Sequence, residues 1–255
     1  MRRPVKIAAA AVAAFAIVLI AELPARWAAG ALPRGITCDE LSGTVWHGVC
    51  AGLAEQGTPL GDLTWTLHPL RLLAGTLSAD VALSRPGVPG IDRARLDIGP
   101  TGSITARAVH ASLPLDRALI PELPPSTRGS AQADLSLVRW DGRRITAIRG
   151  EIDVRGLTDE QGEPIGDYRL FFPGDSSAGA GGPSNASDDP VGRVTDLGGP
   201  FAVEGTVRLT REPGYVLDVQ VAPRTGAPAD LVNALRLLGT PDARGRRLLS
   251  LAGTF

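Results

Sequence analysis

The sequence has few of the side chains from which catalytic and metal sites are usually built. It contains three histidines and two cysteines in 255 residues. His47, His68 and His110 stand far apart, without the HExxH spacing of zinc hydrolases, and no CxxC pair is present. This scarcity argues against metal-dependent catalysis, and we expect no metal site and no cofactor.

The charge balance excludes a second class of function. Lys and Arg together number 26 and Asp and Glu 27, which gives a formal net charge of -1. Proteins that bind nucleic acid through its phosphates usually carry a basic patch, and this composition supplies no such excess. We therefore expect no nucleic-acid partner.

Candidates for a nucleophile or a general acid are also weak. Gly174-Asp175-Ser176 lacks the GxSxG context of a serine hydrolase and lies in a stretch rich in Gly and Ser. The acidic residues fall on the polar phase of alternating segments, where a solvated sheet face explains them. We predict a protein that is not an enzyme and has no catalytic residue.

The most apolar segment stands at the beginning of the sequence. An uncharged run from Ile7 to Ala21 follows Arg2, Arg3 and Lys6. A basic cluster before an apolar segment is typical of a chain that enters a bacterial inner membrane with its N-terminus in the cytoplasm. The run is intermediate between a signal-peptide core of about 7–15 residues and a membrane span of about 20.

The residues after this run favour a retained anchor over a cleaved signal peptide. Glu22-Leu23-Pro24 fits a cleavage site poorly, and Arg26 and Trp27 suit the headgroup region of a membrane. We predict a cytoplasmic basic start and transmembrane signal anchor over residues 1–29 and a periplasmic β-rich domain over 30–255. The protein would then be a single-pass inner-membrane protein, with cleavage of the anchor as the alternative.

The two cysteines fall on the predicted periplasmic side, where thiols are oxidised. Cys38 and Cys50 could be joined if the chain between them doubles back through Ser42-Gly43. A disulfide would then close a small loop and stabilise it by about 2–3 kcal/mol. Two buried free thiols are the alternative.

Beyond the anchor, apolar and polar residues alternate with a period of two, which is typical of strands with one face on a core. The clearest alternating stretches are 77–84, 131–137, 148–155, 203–209 and 215–221. Turn dipeptides separate such stretches, and Asp141-Gly142 predicts a two-residue hairpin turn between Trp140 and Arg143.

Helical signals after the anchor are few. Pro228–Leu238 has a leucine face, a proline at its start and Gly239 after its end, and a weaker pattern runs over 115–120. The stretch 173–190 has no large apolar residue in its interior and predicts a flexible Gly/Ser-rich loop. The fold class is mainly β: one N-terminal transmembrane helix, then an antiparallel sheet, curved or sandwiched, with one or two short helices.

Three local patterns give the sequence a recognisable layout. The first is Ser42-Gly43-Thr44-Val45-Trp46 followed by Gly48, and the second runs from Leu63 through Trp65 and Pro69 to Gly75. The third runs from Leu235 through Leu238 to Gly239, Pro241-Asp242 and Gly245-Arg246, just before a predicted terminal strand over Leu248–Ala252. The motif positions are Gly43, Thr44, Trp46, Gly48, Trp65, Pro69, Gly75, Gly239, Pro241, Asp242 and Gly245.

In order and spacing these patterns resemble the protein N family of the type II secretion system. The resemblance implies an accessory inner-membrane subunit that acts by protein–protein contact in the export of folded proteins. Its expected partners are other type II secretion subunits at the inner membrane, together with membrane lipid. The alternative is a periplasmic lipid-binding or lipid-transfer protein with an open apolar groove. The residues themselves favour a structural role for Trp46 and Trp65 over a binding role.

Overall fold

A computed structural model of the chain describes residues 12, 15, 18–27, 35–85, 88–115, 126–159, 161–173, 189–210, 214–235 and 239–253. Much of the predicted anchor at 1–29, nearly all of the weaker helix at 115–120 and most of the loop at 173–190 lie outside the described residues. The chain forms two compact units, Met1–Gly87 and Val88–Phe255.

Over residues 35–85, which the structure describes without a gap, the first unit contains five strands and a short helix. Strands β3 and β4 pair antiparallel, β4 pairs with β5 in the same way, and β1 and β2 both lie along β3. The bounds are β1 Ile36–Thr37, β2 Glu40–Gly43, β3 His47–Glu55, β4 Thr58–Leu67, α1 Pro69–Leu72 and β5 Leu77–Arg85.

The second unit is an antiparallel meander in which each strand pairs with the next along the chain. The bounds are β6 Val88–Ile98, β7 Ile104–Pro114, β8 Arg128–Trp140, β9 Ile145–Thr158, β10 Pro164–Phe172, β11 Val191–Gly198, β12 Phe201–Leu209, β13 Tyr215–Pro223, α2 Ala229–Leu235 and β14 Arg247–Gly253.

The prediction of a mainly β, antiparallel fold with few short helices is confirmed. The alternating stretches fall on β5, β8, β9, β12 and β13, and the predicted C-terminal helix is α2. Among the described residues no helix is long and apolar enough to cross a membrane. The division at residue 30 and the curved or sandwiched shape stay predictions.

Strand register places an apolar row across the second unit. Because side chains alternate along a strand, one set of directly opposed residues lies on a single face of the sheet. The row consists of Ala111, Ala133, Ile152, Leu170, Val194, Gly205, Val219 and Leu249. Leu231 and Leu235 of α2 pack against the buried part of this face, which forms the core.

The adjacent row across the same strands is polar. It consists of Ser112, Gln132, Asp153, Arg169, Thr195, Glu204 and Gln220. The expectation that the strand carboxylates are solvated is wrong for Asp153, which is 7% exposed. Arg169 donates Nε–H and Nη2–H to this carboxylate at 2.6 and 2.7 Å, and Arg155 adds a bond of 3.0 Å. The two long arginine side chains cover the carboxylate while neutralising it.

Two local expectations need correction. The Asp141-Gly142 hairpin forms, but its loop extends to Arg144 because the Asp141 carboxylate accepts the N–H groups of Arg143 and Arg144. At the start of β5 the expected faces are exchanged: Ser78 is 1% exposed and Leu77 is 37% exposed. The Ser78 carbonyl accepts the His68 N–H at 2.8 Å, at the point where the chain leaves β4 and enters α1.

Cys38 and Cys50 form a disulfide in the first unit. Cys38 lies in the break between β1 and β2, and the side chain of Cys50 on β3 is fully buried. Next to it the register of β3 against β4 shifts, and the Gly52 N–H donates to the Asp62 carboxylate at 2.9 Å. The bridge therefore ties an interrupted edge to the strand beside it.

The Asp153–Arg169 pair predicts a defined pH dependence of stability. The Arg169 hydrogen bond lowers the pKa of Asp153 from its ordinary value of 3.8 to about 2. A lowered folded pKa gives stability that is present above pH 3.8 and is lost as the pH falls toward about 2. We expect Asp153→Asn to lower the free energy of unfolding by about 1–3 kcal/mol near neutral pH.

Urea unfolding at a series of pH values measures this effect, and the parent and the variant should converge below the folded pKa. Glu204→Gln is the matched control, since Glu204 lies exposed on the same row, and it should change stability by less than about 0.5 kcal/mol. A loss of stability in Asp153→Asn that does not change with pH would contradict the prediction.

Reduction should affect the two units differently, because both cysteines lie in the first one. We expect reductant, or the double variant Cys38→Ala/Cys50→Ala, to lower the stability of the first unit by about 2–3 kcal/mol. Hydrogen exchange read separately for β3–β4 and β12–β13 measures the difference. The double variant should be insensitive to reductant, and equal loss of protection in both units would contradict a local role.

Candidate interface at the end of the N-terminal helix

The first motif forms the tight connection between β2 and β3. The Thr44 N–H donates to the His47 carbonyl at 2.8 Å, and the His47 N–H donates to Thr44 Oγ1 at 3.1 Å. Gly43 has a φ of +87°, and a Cβ at this position would overlap the His47 carbonyl oxygen. The turn therefore requires glycine at the start of the motif.

Trp46 at the tip of this hairpin holds the end of the N-terminal helix. Residues 18–21 are helical, and the Trp46 Nε1–H donates to the Ile20 carbonyl at 2.7 Å. The last carbonyls of an α-helix have no i+4 N–H of the same helix to accept from. An indole N–H is therefore a favourable donor to them. The bond joins residues 26 positions apart in sequence.

The chain beyond the helix continues along the same hairpin. The Val45 N–H donates to the Leu23 carbonyl at 2.8 Å, and Pro24 forms an isolated antiparallel bridge with Thr44. Ala25, the next residue, is fully buried. The hairpin thus contacts the exit of the helix through side chain and backbone together, and we refer to residues 20–25 with 43–48 as the exit clamp.

The second motif supports the exit clamp from the neighbouring strand. The Trp65 Nε1–H donates to the Val45 carbonyl at 2.9 Å, and the Leu67 N–H donates to the Trp46 carbonyl at 2.7 Å. The Trp65 ring lies where a side chain at Gly48 would be. Both indole N–H groups are therefore used inside the first unit, and Gly48 leaves the space that Trp65 fills.

The end of β4 and helix α1 complete this side of the unit. His68 Nε2 lies 2.8 Å from the Asp80 carboxylate, and Pro69 begins α1, where its missing N–H costs nothing. The turn after α1 closes at Gly75, with a φ of +73° and a bond of 2.9 Å from its N–H to the Leu72 carbonyl. Pro69 and Gly75 thus position a single helical turn beside the clamp.

The third motif lies in the second unit and forms a turn that leads into β14. The Asp242 carboxylate accepts the N–H groups of Arg244 and Arg246, each at 2.8 Å. The Arg246 N–H contributes most to lowering the pKa of the Asp242 carboxyl. The Arg247 guanidinium donates to the carbonyl of Gly239, and Gly245 has a φ of +76°. Pro241 precedes Asp242 in the same turn.

The structure therefore brings the first two motifs into one arrangement and places the third in a separate turn. The acceptors of the exit clamp, the carbonyls of Ile20 and Leu23, have no signature in the sequence. Backbone groups carry no residue-specific signal, so only the hydrophobic run that contains Ile20 pointed to this segment.

The groups that make the contacts of the exit clamp are the Trp46 indole, the Thr44 hydroxyl and backbone amides and carbonyls, and such groups suit positioning. Within the described ranges no group of three or more His, Cys, Asp or Glu residues is placed to hold a metal ion. The exit clamp connects the end of the helix to the sheet through hydrogen bonds.

The fit of Trp65 over Gly48 can be tested with a double-mutant cycle. Gly48→Ala should lower the free energy of unfolding by about 1–3 kcal/mol, because the new methyl group must displace the Trp65 ring. In a Trp65→Leu background the same substitution should cost clearly less. Equal costs in both backgrounds, measured by urea unfolding, would show that the ring does not set the requirement for glycine.

The comparisons with known proteins agree with this layout of motifs. The profile of the family described as Type II secretion system (T2SS), protein N matches residues 34–250. A protein named Type II secretion system protein N from Vibrio cholerae serotype O1 (strain ATCC 39315 / El Tor Inaba N16961) is 41% identical over 69 residues. The match spans 26% of this chain and 27% of that protein's length. No solved structure matches the chain.

The family predicted from the three motifs is confirmed, and the chain belongs to the protein N family of the type II secretion system.

Proposed function

We propose that this chain is an accessory inner-membrane subunit of the type II secretion system that acts by protein–protein contact in the export of folded proteins. The observation that carries the proposal is the family match over 34–250, which covers strands of both units. The subunit works without catalysis of its own, and its partners are other secretion subunits at the inner membrane.

The N-terminal segment supplies the membrane attachment in this proposal. Ile7–Ala21 carries no charge, and Arg2, Arg3 and Lys6 precede it. Large apolar side chains in this segment are more than half exposed, which is unfavourable in water and favourable in lipid. They are Val12, Phe15, Val18, Leu19 and Ile20.

The disulfide supports a periplasmic location for the first unit. Disulfides persist in the oxidising periplasm and are rare in the cytosol. The Cys38–Cys50 bridge lies after the apolar run, so the chain beyond residue 29 would be on the periplasmic side of a single-pass protein.

The exit clamp gives the attachment a mechanical role. A flexible linker would let the periplasmic part rotate freely about the anchor. The Trp46 bond to Ile20 and the Val45 bond to Leu23 instead hold the first unit to the end of the helix. The subunit therefore presents its sheet to partners in a fixed orientation at the membrane.

Export and co-purification together test the proposal. A strain lacking the chain should release less folded enzyme into the medium, and the tagged chain should co-purify with inner-membrane secretion subunits after mild detergent extraction. Trp46→Ala should reduce export several-fold at unchanged protein level. Trp140→Ala, on β8, is the control and should export normally. Normal export by the deletion strain without any co-purifying secretion subunit would overturn the proposal.

A second candidate function is lipid binding by the second unit. The apolar row is buried at Val194 and Val219 but only half-buried at Ala111, Ala133 and Ile152. A half-covered apolar face over β7–β9 favours an open groove that takes acyl chains. Phospholipid found by mass spectrometry in the purified protein would support this candidate, and a lipid-free protein would count against it.

A further inference from the structure

Helix α1 presents an unusual set of exposed leucines. Leu70 is 80% exposed and Leu73, directly after the helix, is 88% exposed, and Leu72 is also exposed. Scattered apolar residues on a protein surface are normal, but three large ones in four positions form a patch that calls for a partner. No residue of α1 is buried, so the helix does not serve the core.

The position of α1 indicates what this partner is. The Leu67 N–H donates to the Trp46 carbonyl, and the Trp46 indole donates to the Ile20 carbonyl at the end of the apolar helix. Helix α1 begins two residues after Leu67. Two hydrogen bonds and a short piece of backbone therefore connect the leucines to the point where the proposed anchor leaves the bilayer.

Other residues at this end of the first unit have the character of a membrane interface. Trp27 is 71% exposed and follows the exit clamp, and tryptophan is enriched at headgroup level. Arg26 and Arg71 are exposed. Among the described residues 18–27, Glu22 is the one acidic residue, and it is exposed as well. Cations beside exposed leucines suit anionic phospholipid headgroups.

We infer that Leu70, Leu72 and Leu73 insert into the periplasmic leaflet of the inner membrane as a second contact beside the anchor. An apolar helix face at an interface lies about 5–10 Å into the boundary between headgroups and acyl chains. Two attachments, the anchor and α1, fix both the tilt and the rotation of the first unit on the membrane. The inference rests on the proposed membrane attachment and adds a site to it.

Depth-dependent quenching tests the inference on the full chain. Both native cysteines are in the disulfide, so Leu73→Cys can carry one environment-sensitive fluorophore. Thr58→Cys is the matched control: Thr58 is exposed at the opposite end of β4, about 30 Å from Leu67 along the strand. Each labelled chain is reconstituted into vesicles of phosphatidylethanolamine and phosphatidylglycerol with nitroxide lipids.

We expect the fluorophore at position 73 to show a blue-shifted emission and to be quenched by a nitroxide just below the headgroups. For an interfacial depth, its quenching should be at least about twofold stronger than that of the fluorophore at position 58. In a second arm, Leu70→Ser and Leu72→Ser are added to the labelled chain, and they should reduce the Leu73 quenching toward the control value.

Vesicle flotation separates the possible failures. A chain that floats with the vesicles while Leu73 stays in water overturns the inference alone and leaves the membrane attachment standing. A chain that does not float overturns both. A Leu73 label that is shielded only when other inner-membrane secretion subunits are co-reconstituted also overturns the inference, because the leucines would then bind protein.

Discussion

Antiparallel pairing of strands that follow one another in sequence is the constraint on which each unit depends. Pairing in register places every residue opposite one that faces the same side of the sheet. In the second unit this converts a local alternation into two continuous rows, one apolar and one polar. The apolar row passes through Ile152, Leu170 and Val194, and the polar row passes through Asp153 and Arg169. A slip of one residue would exchange the rows, so the burial of the core and the pairing of the charges both fix the register.

Charge burial follows from this register. Asp153 and Arg169 stand directly opposite each other on β9 and β10. Long arginine side chains bring apolar methylenes and a charge at once, so the carboxylate can lose contact with water without losing a partner. Asp97, which is 8% exposed and bonded by Arg107 across β6 and β7, follows the same rule. Nearly all the basic residues of the chain are arginines. In these two pairs the length of the arginine side chain lets it both cover and neutralise a buried carboxylate.

The exit clamp links the sheet of the first unit to the end of the N-terminal helix. The Trp46 indole donates to a carbonyl at the end of the helix, and the Trp65 indole donates to the Val45 carbonyl in the turn that carries Trp46. Gly43 permits the tight turn between β2 and β3, and Gly48 leaves room for the Trp65 ring. The motif residues of this unit therefore form a joint, and α1 with its leucines projects next to it.

The sequence by itself determined the class of fold and the family. Period-two alternation located β5, β8, β9, β12 and β13, because side-chain direction in a strand is a local property. The spacing of the glycines and tryptophans carried the family resemblance. Only the tertiary structure decided which groups meet: the Trp46 indole with the Ile20 carbonyl, Asp153 with Arg169, and the leucines of α1 with open solvent. Backbone acceptors have no sequence signature, and burial of a charge depends on the strand laid beside it, so neither can be read from one chain segment alone.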